Sequence, residues 1–202
     1  MKLTPITTDM ELFLCELKTS DFSNVRIQKL CNILFDNDQS QLDKIEIAFR
    51  FVRDQIAHSW DIQSKRVTCK ASEVLRYREG ICYAKSNLLA ALLRSQGIPT
   101  GFCYQKLMLF DTPEHGYCVH ALNAVFVFDL SRWFRLDARG NKEGIASSFS
   151  ITEERLAFFP NPEKGEIDYP KIYFEPNPKT IAVLNTHADA LLMYLQQLPE
   201  SI

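Results

Sequence analysis

The order of structural signals along the chain predicts an α+β fold. Helical patterns occupy the first part, strand-like runs joined by short turns follow, and an amphipathic pattern closes the sequence. Helices and strands segregated in this way favour α+β over a doubly wound α/β sheet. At 202 residues, the chain fits one domain, 1–202, large enough to bury a core without a metal or disulfide staple. It divides into a helical part over about 1–60, a central core over about 61–145, and a loop and helix over about 146–202.

Each element has its own signal. Residues 11–18 suit a strand or a short helix. Val25, Ile27, Leu30, Ile33 and Leu34 follow helical spacing. Ser40 with Asp43 three residues on reads as a helix start, and Leu42, Ile45, Phe49, Val52 and Ile56 form the apolar stripe behind it. Residues 61–68 are polar and read as loop. A short helix is expected over 71–77 and a longer one over 82–96, with Leu88, Leu89, Leu92 and Leu93 as its buried stripe. Gly97 and Pro99 stop it. Strands are expected over 101–110, 117–128 and 133–137, forming an antiparallel meander. A short helix is expected over 152–159. Five of the nine prolines fall in 160–178, which predicts an extended surface loop, a strap that could border a cleft. Ile181, Leu184, Ala188, Leu191, Leu195 and Leu198 predict one terminal helix over 180–198.

Composition removes several function classes. The net charge is −2, with no basic run or stripe, which argues against nucleic acid or an anionic membrane as partner. No apolar stretch is long enough to span a bilayer. The first residues lack the apolar run of a secretory signal, so a cytoplasmic protein is expected. The six cysteines have no metal-ligand spacing and are read as reduced thiols, with no metal and no cofactor implied.

Cys82 carries the chemical interest. It follows Gly80-Ile81 and begins the clearest helix. A thiol there faces unsatisfied N–H groups and the positive end of the helix dipole, which favour the nucleophilic thiolate. The same amides can donate to an oxyanion. Gly80 allows a sharp turn and keeps bulk away from the thiol. Taken alone, Cys82 fits a small buried residue beside the leucine stripe better than a nucleophile. A nucleophile needs a base. His58, His115 and His187 read as surface or capping residues. His120 differs, because it sits in an apolar strand, where an imidazole must be paired or face a cleft. Asp137 closes the next strand, so an antiparallel hairpin can bring it near His120, although the turn length does not set them directly opposite. A core histidine and a turn aspartate remain open at this point.

The segment Arg78-Glu79-Gly80-Ile81-Cys82, its helix, and the exit Arg94-Ser95-Gln96-Gly97-Ile98-Pro99 closely resemble the transglutaminase-like core. His120, after a Gly/Tyr-containing turn, and Asp137, seventeen residues on, resemble that family's catalytic histidine and aspartate. The resemblance covers about 45–140. Two departures are visible: Leu122 stands where the family often has Trp, and Ala138 where it often has Pro. The resemblance implies a papain-like fold, with the cysteine helix packed on an antiparallel sheet. It further implies acyl transfer through a thioester by the triad Cys82, His120 and Asp137, as amide hydrolase ahead of acyltransferase. The substrate would be a peptide, a protein or a small amide, and the sequence leaves the oligomeric state open. No calcium loop is present, and the chain lacks the length of the large crosslinking members. Trp60 is a candidate second oxyanion donor by side-chain chemistry. A non-catalytic binding module on the same fold and a redox-sensing thiol protein, pairing Cys82 with Cys103 or Cys118, are the rival readings.

Overall fold

The helical part forms where the local signals place it. The computed structural model describes residues 2–202. Helix α1 (Val25–Leu34) starts at the Asn24 cap, and α2 (Gln41–Gln55) at Ser40. At Ser40 the hydroxyl accepts the Asp43 N–H while the Asp43 carboxylate accepts the Ser40 N–H, a closed capping box. Ile45, Ala48, Phe49 and Val52 of α2 are buried. The expected face of α1 is only partly right: Ile27, Leu30 and Cys31 are buried, but Val25 and Ile33 lie 63% and 80% exposed. A ten-residue helix packed along one side can bury only the positions facing its neighbours.

Two short pairings come next. Strand β1 (Thr4–Pro5) opens the chain, and β2 (Ala57–His58) pairs in parallel with β3 (Glu79–Gly80). Between them lies α3 (Ala71–Tyr77), ending at Arg78 in the left-handed conformation with φ 58°. Helix α4 (Cys82–Arg94) is next in the chain and stops before Gly97, whose φ is +70°. The sequence predicts one buried stripe on this helix; instead all thirteen of its residues are buried. It lies between α2 and α3 on one side and the sheet on the other, so no face meets water. Its polar side chains are paired accordingly: the Asn87 amide donates to Cys69 O, and the Arg94 guanidinium to the carbonyls of Thr100, Cys15 and Phe174.

The main sheet contains β4 (Thr100–Met108), β5 (Tyr117–Val127), β6 (Arg132–Leu136) and β7 (Ile167–Asp168) in the order β6-β5-β4-β7, all antiparallel. The meander of three is as expected. The fourth strand comes from the proline-rich segment, and its two residues sit at the edge, where a neighbouring proline costs no ladder bond. Strand β8 (Lys171–Ile172) pairs in parallel with β1. Strand alternation splits β5 between two faces. Val119, Ala121, Val125 and Val127 join the core around α4, whereas Leu122 and Ala124 pack with Phe13, Cys103, Leu156 and Ile172 on the other face.

Two expectations fail in the last quarter. Residues 152–159 form no helix: Leu156 is buried under the second face, and the neighbouring backbone groups bond to the sheet instead of to one another. The terminal helix is two, α5 (Pro178–Thr186) and α6 (Ala190–Gln196). His187 is extended at the break, and the Asp189 carboxylate accepts the N–H groups of Leu191 and Leu192, which starts α6 afresh.

Candidate active site

Cys82 is placed by the pairing that precedes it. Ala57 lies opposite Glu79 and His58 opposite Gly80, which anchors the turn into α4. Gly80 has no positive φ, so its role is space. A Cβ there would meet Thr68 Oγ1 at 3.0 Å and Ala84 Cβ at 3.1 Å. The α4 N-cap is Ile81, and among the described residues no side chain caps the helix, so the first-turn N–H groups beside the thiol have no side-chain acceptor. Cys82 itself is 8% exposed.

His120 and Asp137 meet across the hairpin. The β5–β6 ladder pairs Asn123 with Leu136. Continuing that register sets Leu122 beside Asp137, so His120 is the diagonal neighbour on the same face, within reach of a long side chain. His120 Nε2 donates to Asp137 Oδ2 at 2.9 Å, and both side chains are buried. Asp137 is held on every side: Oδ2 also accepts Ala157 N–H at 3.1 Å, and Oδ1 accepts Arg139 N–H at 3.2 Å. Burial pushes the Asp137 carboxyl up, but the His120 charge and these donors outweigh it and hold it below the usual range. Burial pushes His120 down, and the Asp137 charge together with Cys82 outweighs that, raising the imidazole to about 10. Cys82 lies close enough to favour the charged ring, and the two residues line one cleft. Since Nε2 is engaged with Asp137, Nδ1 is the nitrogen left for the thiol.

One tie that the sequence reading misses joins these two halves. Tyr83, next to Cys82, donates its buried hydroxyl to Val119 O, next to His120, at 2.6 Å. The signal for it is a tyrosine inside an otherwise small and leucine-rich helix. Asn123 adds a second tie, its amide donating to Ser86 O at 3.2 Å.

A cleft of about 450 Å³ opens over Cys82 and His120. Trp60 lines it, stacked on Tyr194 at 4.7 Å between centroids, and Cys118 lines it too. The proline-rich segment borders it through Asn161, Lys164 and Glu166, while β7 straps it to the main sheet and β8 to β1. His115 is exposed as expected. His58 is a correction: it is 4% exposed and lines the cleft, because its pairing with Gly80 draws it inward. Burial, aided by the Arg139 charge, holds its imidazole well below the usual range, so it is neutral. Lys85, one turn after Cys82, is also buried, donating to Ile56 O at the end of α2. Burial first, and the nearby Arg139 charge second, bring its ammonium down to about 7. The signal for it is a lone lysine among alanine, serine and leucine. Among the described residues, no cluster of three His, Cys, Asp or Glu side chains could hold a metal, and no helix is long and apolar enough to cross a membrane.

The family model of the transglutaminase-like superfamily matches residues 28–138, a span that includes Cys82, His120 and Asp137. The chain belongs to the transglutaminase-like superfamily. Among solved structures, this superfamily member is similar to a "putative cysteine protease" from Cytophaga hutchinsonii, with TM-score 0.53 and 17% identity, covering 66% of this chain and 43% of that one. It is also similar to a structure described as a TGase, with TM-score 0.47 and 17% identity, covering 92% of this chain and 54% of that one. This transglutaminase-like chain therefore spans about half the length, or less, of these structures. The first likeness supports the mixed helix and antiparallel-sheet fold. No curated protein matches the sequence.

Proposed function

We propose that the protein is a cysteine-dependent acyl-transfer enzyme, an amide hydrolase ahead of an acyltransferase, acting on an amide of a peptide, a protein or a small molecule. The observation that carries this reading is Cys82 on one cleft with His120, whose ring is bound to the buried Asp137 carboxylate. Cys82 Sγ attacks the carbonyl carbon, and the Cys82 N–H at the uncapped helix start receives the developing oxyanion. Trp60, on the wall of the same cleft, is the candidate second donor. His120 Nδ1–H protonates the leaving amine, and a thioester forms. Water, or an acceptor amine, then gives a proton back to His120 as it releases the acyl group. Asp137 fixes the ring through Nε2 and stabilises its cation. A reducing cytoplasmic setting suits a catalytic thiol.

The test uses p-nitrophenyl acetate and intact-mass spectrometry. The wild-type chain should gain one acetyl group, mapped to Cys82, with release of p-nitrophenol. Cys82→Ala should fold and gain none. The same adduct in the Ala variant, or a wild type that binds acyl compounds without ever becoming acylated, would favour a binding module instead.

A further inference from the structure

The walls of the cleft narrow the substrate, an inference that rests on the acyl-transfer reading. One wall is aromatic: Trp60 stacks on Tyr194, and Phe110 leans against both at 5.2 and 6.1 Å. Phe158 sets its ring edge-on to His120 at 5.0 Å, and Phe159, 69% exposed, lines the same cleft. A large apolar side chain left in water beside a catalytic thiol marks a place where apolar substrate can be buried.

The charged groups on the rim are already engaged. Asp61 takes both Arg139, at 2.5 and 2.8 Å, and Lys142, at 2.9 Å. Lys164 faces Asp111 at 3.5 Å. The Glu166 carboxylate accepts the N–H groups of Met108 and Asn161. A charged acyl group would find each of these groups already bound to a partner and would lose its hydration.

The sheet edge beside His120 is occupied as well. Strand β6 covers β5 only from Asn123 to Val127. On the uncovered stretch Val119 N–H donates to Pro199 O at 2.7 Å, while Val119 O takes the Tyr83 hydroxyl. Lys179 holds Ser201 O at 3.2 Å, and Ile202 packs on the main core, so residues 199–202 are tied down at both ends. An extended polypeptide would need those main-chain groups to add as a strand.

From these three observations we infer that the cleft selects a compact acyl group with an aromatic or branched apolar body, entering end-on, and excludes extended polypeptide. The test compares p-nitrophenyl esters of 3-phenylpropionate, acetate and succinate, each rate of Cys82 acylation being normalised to that ester's rate with free cysteine. Carboxymethylated casein serves as the extended polypeptide. The phenylpropionyl ester should acylate Cys82 at least about tenfold faster than the other two, and casein should stay intact. Tyr194→Ala should cut the phenylpropionyl-to-acetyl ratio about tenfold. Phe128→Ala, a 52% exposed residue outside the cleft lining, should leave that ratio in place. Equal rates, a preference for succinyl, or cleavage of casein would overturn the inferred substrate class while leaving Cys82 a nucleophile. Failure of all three esters to acylate Cys82 would overturn the acyl-transfer reading and the inference with it.

Discussion

Replacing Asp137 by Asn keeps the volume and removes the charge of a fully buried carboxylate. Three donors converge on that carboxylate: His120 Nε2 and Ala157 N–H on Oδ2, and Arg139 N–H on Oδ1. An amide offers one oxygen and one NH2 group. If the NH2 takes the Oδ1 place it meets Arg139 N–H; in the other orientation it meets Ala157 N–H. Either way one buried donor is stranded, a cost of about 1–3 kcal/mol, or about 2–12 °C in Tm for a chain of this size. The variant is therefore expected to melt below the wild type. The chemical effect is larger. With the anion gone, only Cys82 still favours the His120 cation against burial, so the charged ring is destabilised. The thiol's imidazolium partner is weakened, and acylation should fall by about 10²–10⁴. The assay is the pH profile of Cys82 alkylation by iodoacetamide alongside ester acylation and thermal melting. An Asp137→Asn protein with the wild-type alkylation profile and the wild-type Tm would refute the reasoning, because both effects derive from the same buried carboxylate.

Two further outcomes can be measured. Tyr83→Phe removes the hydroxyl that ties α4 to β5 beside His120. It should cost about 1–3 kcal/mol in urea unfolding and slow Cys82 acylation, and an unchanged acylation rate would show that the tie does not position the thiol. The second outcome is pH dependence. His120, raised from 6.5 to about 10, contributes stability that is full below pH 6.5 and lost as pH rises toward 10. Lys85, lowered from 10.5 to about 7, has the opposite slope: the unfolded chain binds the extra proton, so stability rises with pH from about 7 to 10.5. The two offset in the wild type. Lys85→Met leaves the His120 slope alone, so its urea midpoint should fall between pH 6.5 and 8.5. A flat midpoint across that range would contradict the assignment of charge to His120.

Much of the architecture was legible residue by residue because its signals are local. The Ser40–Asp43 capping box, the short helix at 71–77, the start of a helix at Cys82 and its stop before Gly97 each depend on contacts three or four residues apart. The three long strands announce themselves by apolar and aromatic runs between turn residues. Cys82, His120 and Asp137 could be nominated from sequence as well, by residue type and by where each falls on its element. Their meeting could not. It depends on a hairpin register that places His120 and Asp137 on a diagonal, and on a tyrosine hydroxyl spanning from helix to strand. The misread elements share that cause. Residues 152–159 give up a helix because their backbone serves Asp137 and Gln105; His58 is drawn inward by pairing with Gly80; α6 brings Tyr194 to the cleft from more than a hundred residues away in sequence. Helix caps and strand patterns are decided by neighbours in the chain. Burial, pairing register and cleft shape are decided by which surfaces must be covered once the chain has folded, and only the tertiary structure holds that information.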